Sequence, residues 1–425
     1  MKLNLKLSGS LTMTRNDNNT ELTLWVAIDV SKHKHDILIE YPNKTQKRMI
    51  ISNTKSDFVR LANILISTEL SVSIALESTG YYHRAIAYFL IKQGFNLHLI
   101  SGIATARTRE CKFNSRDKND KRDTEVILYL LKQGNVQYYY EPLLHNYNDI
   151  QELSGTYSRI SDRKTRLQHS IINHFLALYF PEAEKYFCST RAEWFADFFK
   201  IFPSPSAITQ YKEEEFIEKA WKLAGRKVDK ENWLRDVYNT AKNSVGLPIN
   251  LESKTLSMFI YVLDEFSNLC KRRKQLEIEV EQYLSCNQDY LLLKTIPGIG
   301  PIIGMTILAE AGDLTRFKHH KQFLKYCGFD LATYQSGNSK GKTSLSKRGN
   351  SKLRQMFWLA ATVAIRMREN SFRNKYQQYI KEDPNNADLK RKAYVAVAAK
   401  LARVVYSMIR YKTDYYCSYE SVVTQ

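Results

Sequence analysis

An α/β N-terminal domain followed by an all-α remainder is the fold class that the sequence predicts, and three observations carry it. Short apolar runs with strand-like alternation, separated by helix-patterned stretches, fill residues 22–135. From about residue 146 the apolar spacing becomes helical, at near-heptad intervals. Positive charge gathers at the far end. Between Asn338 and Lys412 there are 18 Lys+Arg against 4 Asp+Glu, so +14 of the formal +19 lies there. Charge needed only for solubility is spread out; a block of this kind points to phosphate binding. With 425 residues and 44% hydrophobic content, the chain can build two or three domains with their own cores.

Residues 1–21 are polar and lack a signal-peptide apolar core, which predicts a disordered lead-in. The first domain is expected over 22–140. Its strands are predicted at 24–30, 36–41, 46–52, 72–77 and 96–100, the first three joined by short turns as an antiparallel meander. A helix carrying Phe58, Leu61, Ala62 and Leu65 follows Asn53, a helix-capping residue type, and a second runs from about Tyr82 to Gln93 before Gly94. The order βββαβαβα is that of the ribonuclease H/RuvC arrangement.

Residues 146–290 predict a helical linker and oligomerisation region. Leu153, Tyr157, Ile160, Leu167, Ile171 and Phe175 mark one long helix, and Leu263, Phe266, Leu269, Leu276 and Ile278 a second over 253–285. An antiparallel coiled coil and a plain bundle core fit this periodicity equally. A third domain is expected over 291–412, with a tail at 413–425. It opens on a helix, PGIG and an apolar helix, a helix-hairpin-helix-like pattern in which Gly298 and Gly300 let backbone N–H groups approach a phosphate. A polar loop dense in Ser, Gly and Lys follows, then an amphipathic helix with Leu353, Phe357, Ala360 and Ala361 inward.

Four carboxylates hold most of the chemical information. Asp29 lies in the apolar run TLWVAIDVS, Glu77 ends SVSIALE, and Asp120 and Asp123 stand three apart at the start of a helix, on one face. A lone Asp after a strand is usually a turn or cap residue, and acids at a helix start suit its dipole. Placed together in fold order, however, carboxylates cluster against apolar sheet only where a hard cation offsets their repulsion and desolvation. A nuclease-like metal site is the expectation.

The acidic set, the loop serine and the basic domain resemble the DEDD transposases of insertion-sequence family one-ten, over roughly residues 24–410. The matching stretches are AIDVSK around Asp29, ESTG around Glu77, KNDKRDT around Asp120 and Asp123, then PGIG, and QSG followed by SKRGNSKLR. The resemblance implies a RuvC-like domain, a C-terminal transposase domain, and carboxylates that bind Mg²⁺, with Mn²⁺ as an alternative. It implies Ser336 of the SG motif as nucleophile, donor and target DNA as substrates, a structured bridge RNA as guide, and a homo-oligomer, dimer or tetramer. Thr124 stands where a smaller residue is usual, Asn119 where Thr is common, and no proline precedes QSG.

A serine hydroxyl needs a base, a lowered pKa or a metal beside it to attack. A phosphoserine would conserve the bond energy for strand exchange without ATP. Lys118, Lys347, Arg348 and Arg354 are the candidate phosphate contacts. Because Asp123 and Ser336 lie far apart in the chain, the site must be assembled by folding or between protomers, and assembly between protomers brought together by the helical middle region is the expectation. A metal-dependent junction nuclease using water, with Ser336 structural, and a non-catalytic nucleic-acid-binding protein are the competing classes. The six cysteines form no CxxC pair or Cys/His ligand spacing, and no stretch reaches transmembrane length. The expected place is therefore a reducing cytoplasm, which the resemblance implies to be prokaryotic and nucleoid-associated.

Overall fold

Alternation along TLWVAIDV buries Leu24, Val26, Ile28 and Val30 on one side and Ala27 on the other, so β1 (Thr23–Val30) is a central strand covered on both faces. It belongs to the first of two units in this computed structural model, Met1–Leu144 and His145–Gln425. The described residues are 22–416 apart from 78–79, 115–119, 188–191, 226–228, 334, 337–338, 342 and 369; at Asp120, Ala192, Gln335, Ser336, Ser339 and Lys340 the backbone alone is described.

In the first unit β2 (Lys34–Glu40) and β3 (Gln46–Ser52) complete the meander, followed by α1 (Lys55–Ile66), β4 (Ser71–Glu77), α2 (His83–Lys92) and β5 (Asn96–Ile100). Then come α3 (Gly102–Phe113), α4 (Asp120–Lys132) and β6 (Gln137–Tyr138). The sheet order is β3-β2-β1-β4-β5-β6, with β1 antiparallel to β2 and parallel to β4. α1 and α2 cover one face with Phe58, Leu61, Leu65, Ile86 and Leu90. The other face takes α4, whose Val126, Ile127, Leu130 and Leu131 pack on Ala27, Leu38, Ala75 and Ile100.

Two expectations need correction here. The α1 cap is Thr54, whose side chain accepts from Asp57 N–H, because Asn53 is committed to the β2 approach through His33 O and Lys32 O. The order βββαβαβα also lacks α3. Only Thr105 of that helix is buried, so it carries no apolar stripe that periodicity could reveal.

The second unit is helical. α5 (Asn148–Ser170) passes through a π turn at Ile171–Leu176 into α6 (Ala177–Tyr179). Next come α7 (Ala192–Ile201), α8 (Pro205–Thr209), α9 (Glu213–Ala220), α10 (Lys230–Lys242) and the long α11 (Lys254–Leu284). α5 and α11 pack antiparallel: Tyr157 OH donates to Glu277 at 2.9 Å, while Arg163, further along α5, bonds Glu265, further back on α11. An aromatic core of Phe195, Phe198, Phe199, Phe216 and Phe259 fills the space among these helices.

A separate core joins the ends of α5 and α11 to α12 (Gln288–Lys294), α13 (Pro301–Ala311) and α14 (His320–Tyr326). The expected polar loop folds into short antiparallel pairs, β7 (Leu331–Ala332) with β10 (Ser344–Leu345) and β8 (Gln335–Ser336) with β9 (Ser339–Lys340). α15 (Ser351–Ala364), α16 (Ser371–Ile380) and α17 (Ala387–Tyr411) close the unit, with Leu353, Phe357, Ala360 and Ala361 buried. Among the described residues no helix is long and apolar enough to cross a membrane.

Candidate functional site

Strand register decides where the first two carboxylates stand. The parallel β1–β4 pairing runs to Ile28↔Leu76, so Asp29 and Glu77 come next on neighbouring strands. Alternation turns both to the face opposite Ile28 and Leu76, the one that α4 covers. Ala27 and Ala75 on that face leave room for the helix to lie close. Its direction follows from its far end: Lys132 Nζ meets Glu40 at 2.5 Å, and Glu40 pairs with Trp25 near the start of β1. α4 therefore runs against β1, and its first turn, with Asp120 and Asp123, lies toward the Asp29 end. Asp29, Glu77 and Asp123 share one side of the sheet.

Two arginines that sequence reasoning missed fix that first turn. Arg109 of α3 donates from Nε and Nη2 to Asp123 Oδ1, each at 2.6 Å. Asp123 is 1% exposed, so the guanidinium is its counter-charge within a nearly dry setting. Arg48 of β3 donates through Nη1 to Lys121 O and Thr124 Oγ1, both at 3.2 Å, and pairs through Nη2 with Glu125. Thr124, itself buried, donates to Lys121 O at 2.9 Å, so its hydroxyl is part of the same clamp. Neither arginine belongs to a motif, and nothing local in the sequence marks them.

Two further residues frame the site. A Cβ at Gly102 would sit 3.0 Å from Glu77 Oε1, so glycine at the start of α3 makes space for that carboxylate. Asp36, opposite Asp29 in register, adds another acid to the same face, with Lys34 Nζ at 3.5 Å. Like charges directly opposed across strands are unfavourable, which makes this sheet end receptive to a cation. Among the described residues, no three His, Cys, Asp or Glu side chains converge closely enough to hold a metal. The Asp120 side chain lies outside the described set, as does Lys118.

In the second unit Ser336 occupies β8, directly opposite Ser339 of β9; its side chain is outside the described residues. The base of this ribbon is anchored. Ser346 N–H donates to Asp330 O at 2.8 Å, and Arg354 Nη1 reaches Cys327 O at 3.4 Å and Lys347 O at 3.3 Å. Arg354, expected at a phosphate, is thus half-buried and spends donors on the ribbon base. Lys347 and Arg348 beside it are exposed.

Gly298 also has a packing task. It has φ +91°, and a Cβ there would lie 2.3 Å from Ala360 O of α15, so the close approach is to a helix backbone. Gly300 caps α13, and a Cβ there would have nothing within 4 Å; it lies at a groove of about 670 Å³ lined by Tyr157, Arg273 and Lys294.

Comparison with known proteins gives two family models. One, described as Transposase and of the DEDD type, matches residues 26–181, and another, described as Transposase IS116/IS110/IS902 family, matches residues 290–377. The chain is 21% identical over 396 residues to the insertion element IS116 uncharacterized 44.8 kDa protein of Streptomyces clavuligerus, covering 92% of this chain and 95% of that one. It is 27% identical over 141 residues to the transposase for insertion sequence element IS1111A of Coxiella burnetii, covering 33% of this chain and 38% of that protein. The pilin gene-inverting protein of Moraxella bovis is 27% identical over 164 residues, 37% of this chain and 50% of its own.

Proposed function

The chain belongs to the IS116/IS110/IS902 transposase family and is a DNA transposase, and from that premise we propose that it cuts and rejoins DNA through a phosphoserine on Ser336, with Asp29, Glu77, Asp120 and Asp123 holding a divalent cation. The observation that carries the reading is the register that sets Asp29 and Glu77 side by side on the face where α4 presents Asp123. When bound there, Mg²⁺ or Mn²⁺ would polarise a scissile phosphate and stabilise the leaving oxygen.

The chain's own residues supply the rest. Arg109 holds the Asp123 carboxylate in one orientation, and Arg48 fixes the helix turn that carries it. Ser336 Oγ forms a bond to phosphorus as the bond from phosphorus to the leaving deoxyribose oxygen breaks. The hydroxyl gives up its proton and the leaving oxygen gains one. An incoming DNA hydroxyl reverses the step and frees the serine. Lys347 and Arg348, exposed beside the ribbon, are suited to phosphates of the bound strand. Guidance by a structured RNA and action as a homo-oligomer belong to the same reading through the motif resemblance, and sequencing RNA that copurifies with the protein tests the first.

Wild-type protein incubated with element-end DNA and Mg²⁺ is expected to give a protein–DNA species that survives denaturation. Ser336→Ala should bind the DNA and form none, whereas Ser339→Ala, altered on the facing strand, should retain it. Nicked DNA from Ser336→Ala, with no adduct from either protein, would identify a water-using nuclease instead.

A further inference from the structure

The surface formed by α15, α16 and α17 carries an aromatic cluster of which one ring, Tyr376, packs on the core while Trp358 and Tyr394 stand outside it. Trp358 of α15 lies 5.9 Å from Tyr394 of α17, ring centre to ring centre, and Tyr394 lies 5.1 Å from Tyr376 of α16. The buried side of α15 is Leu353, Phe357, Ala360, Ala361 and Ala364; Trp358 is outside that set and remains 44% exposed. A cluster serving only to join three helices would bury its largest ring, since an indole left in water forgoes most of its apolar gain.

Cations stand one helical turn from two of the rings, Arg391 among them being paired with Asp388 at 3.1 Å. Lys390 and Arg391 lie one helical turn before Tyr394, and Arg373 lies one turn before Tyr376. Across residues 351–412 there are 14 Lys+Arg against 4 Asp+Glu. Lys375 and Arg403 are close enough that burial, and then the Arg403 charge, hold the Lys375 ammonium below its ordinary pKa. A neighbouring anion would offset both effects.

We propose that Trp358, Tyr394 and Tyr376 form a stacking platform for unpaired bases of a single-stranded nucleic acid whose phosphates are held by the flanking lysines and arginines. Every base has a π face, so stacking of this kind tolerates any sequence, while phosphate attraction supplies the remaining affinity. A duplex cannot use the platform because its base faces are already stacked on one another. Single-stranded RNA and single-stranded DNA share the chemistry that the platform recognises. The inference rests on the nucleic-acid reading of the basic unit given above.

The test measures the affinity of the full chain for a mixed-sequence 20-nucleotide RNA, the same sequence as DNA, and a 20-base-pair duplex, all lengths chosen to be on the order of one binding site. Trp358→Leu keeps the apolar bulk and removes the π face; Trp358→Phe keeps a ring. Trp358→Leu should weaken single-strand binding about tenfold, Trp358→Phe should stay near wild type, and duplex binding should not change. A larger loss with RNA than with DNA would assign RNA as the occupant, and the reverse would assign DNA. Unaltered single-strand binding by a folded Trp358→Leu, or an equal loss on the duplex, overturns the platform and leaves the nucleic-acid reading standing. If wild type binds none of the three probes, that reading falls and the platform falls with it.

Discussion

The sheet unit and the helical unit position their polar chemistry by different physical means. In the first, register and helix direction leave little freedom: Asp29 and Glu77 are neighbours because Ile28 and Leu76 pair, and Asp123 is held at 1% exposure by Arg109. In the second, charge lies on open helix faces, and the candidate serine sits on a two-residue strand of a ribbon anchored at its base. Buried, paired charges give precision at a cost in tolerance to mutation. Exposed, mixed charges give adaptable attraction to a polyanion, at a cost in sensitivity to salt. Mutations should therefore act abruptly in one unit and gradually in the other.

The largest effect is expected from Asp29→Asn. Strand cleavage should fall by about a hundredfold or more, because several kcal/mol of metal-mediated stabilisation are lost at about 1.4 kcal/mol per decade. Thermal stability without metal should change little, and DNA affinity should be kept. A cleavage assay beside a melting curve checks both; unchanged cleavage breaks the contrast at its strongest point.

Arg109→Met comes next. It leaves the Asp123 carboxylate buried without its counter-charge and should cost about 3 kcal/mol of stability. Added Mn²⁺ should recover more of the melting temperature than it adds to wild type, since the ion would replace the missing cation. An unaltered melt would show that the buried pair contributes nothing.

Gly298→Ala probes the helical unit where it is as tightly built as the sheet. The Cβ meets Ala360 O at a φ of +91°, so a loss of about 2 kcal/mol or more is expected, with DNA affinity of the folded fraction unchanged. Gly300→Ala, with open space around the added methyl, should leave stability intact; if the backbone there meets a phosphate, its effect falls on affinity alone. Should the two variants behave alike, the difference drawn between these glycines is wrong.

The smallest effect is on pH dependence. Burial holds the pKa values of His35, His83 and His98, all in the sheet unit, below the ordinary value of 6.5. Below that pH the unfolded chain binds protons that the folded unit does not, so stability is lost as pH falls and is unaffected well above it. Denaturant midpoints at neutral and mildly acidic pH measure this slope. His35→Phe, replacing a fully buried ring stacked on Phe58, should flatten it.

Much of the sheet was legible in the sequence because its strands alternate or run apolar: the five predicted strands match β1 to β5 to within two residues at either end. The long helices α5 and α11 were legible for the same reason, through their apolar spacing. α3 was not, since its one buried residue is a threonine. Of the site, the acids could be singled out because carboxylates ending apolar strands are chemically odd. Arg109 and Arg48 could not, because arginine on a helix or an outer strand is ordinary, and only the fold reveals that 14 and 73 or more residues of separation close to hydrogen-bond distance. The packing tasks of Gly298 and Arg354 were not legible for a related reason: a glycine in a loop and an arginine in a basic block look the same whether or not they meet a neighbouring helix or loop.

The central claim is that the carboxylates of the sheet unit hold a divalent cation. Amide hydrogen exchange on the full chain, with and without Mn²⁺, tests it most directly. The account predicts added protection at the ends of β1 and β4 and in the first turn of α4, none in α15 to α17, and no response at all in Asp29→Asn. Protection confined to the helical unit, or the same protection in Asp29→Asn as in wild type, would contradict it.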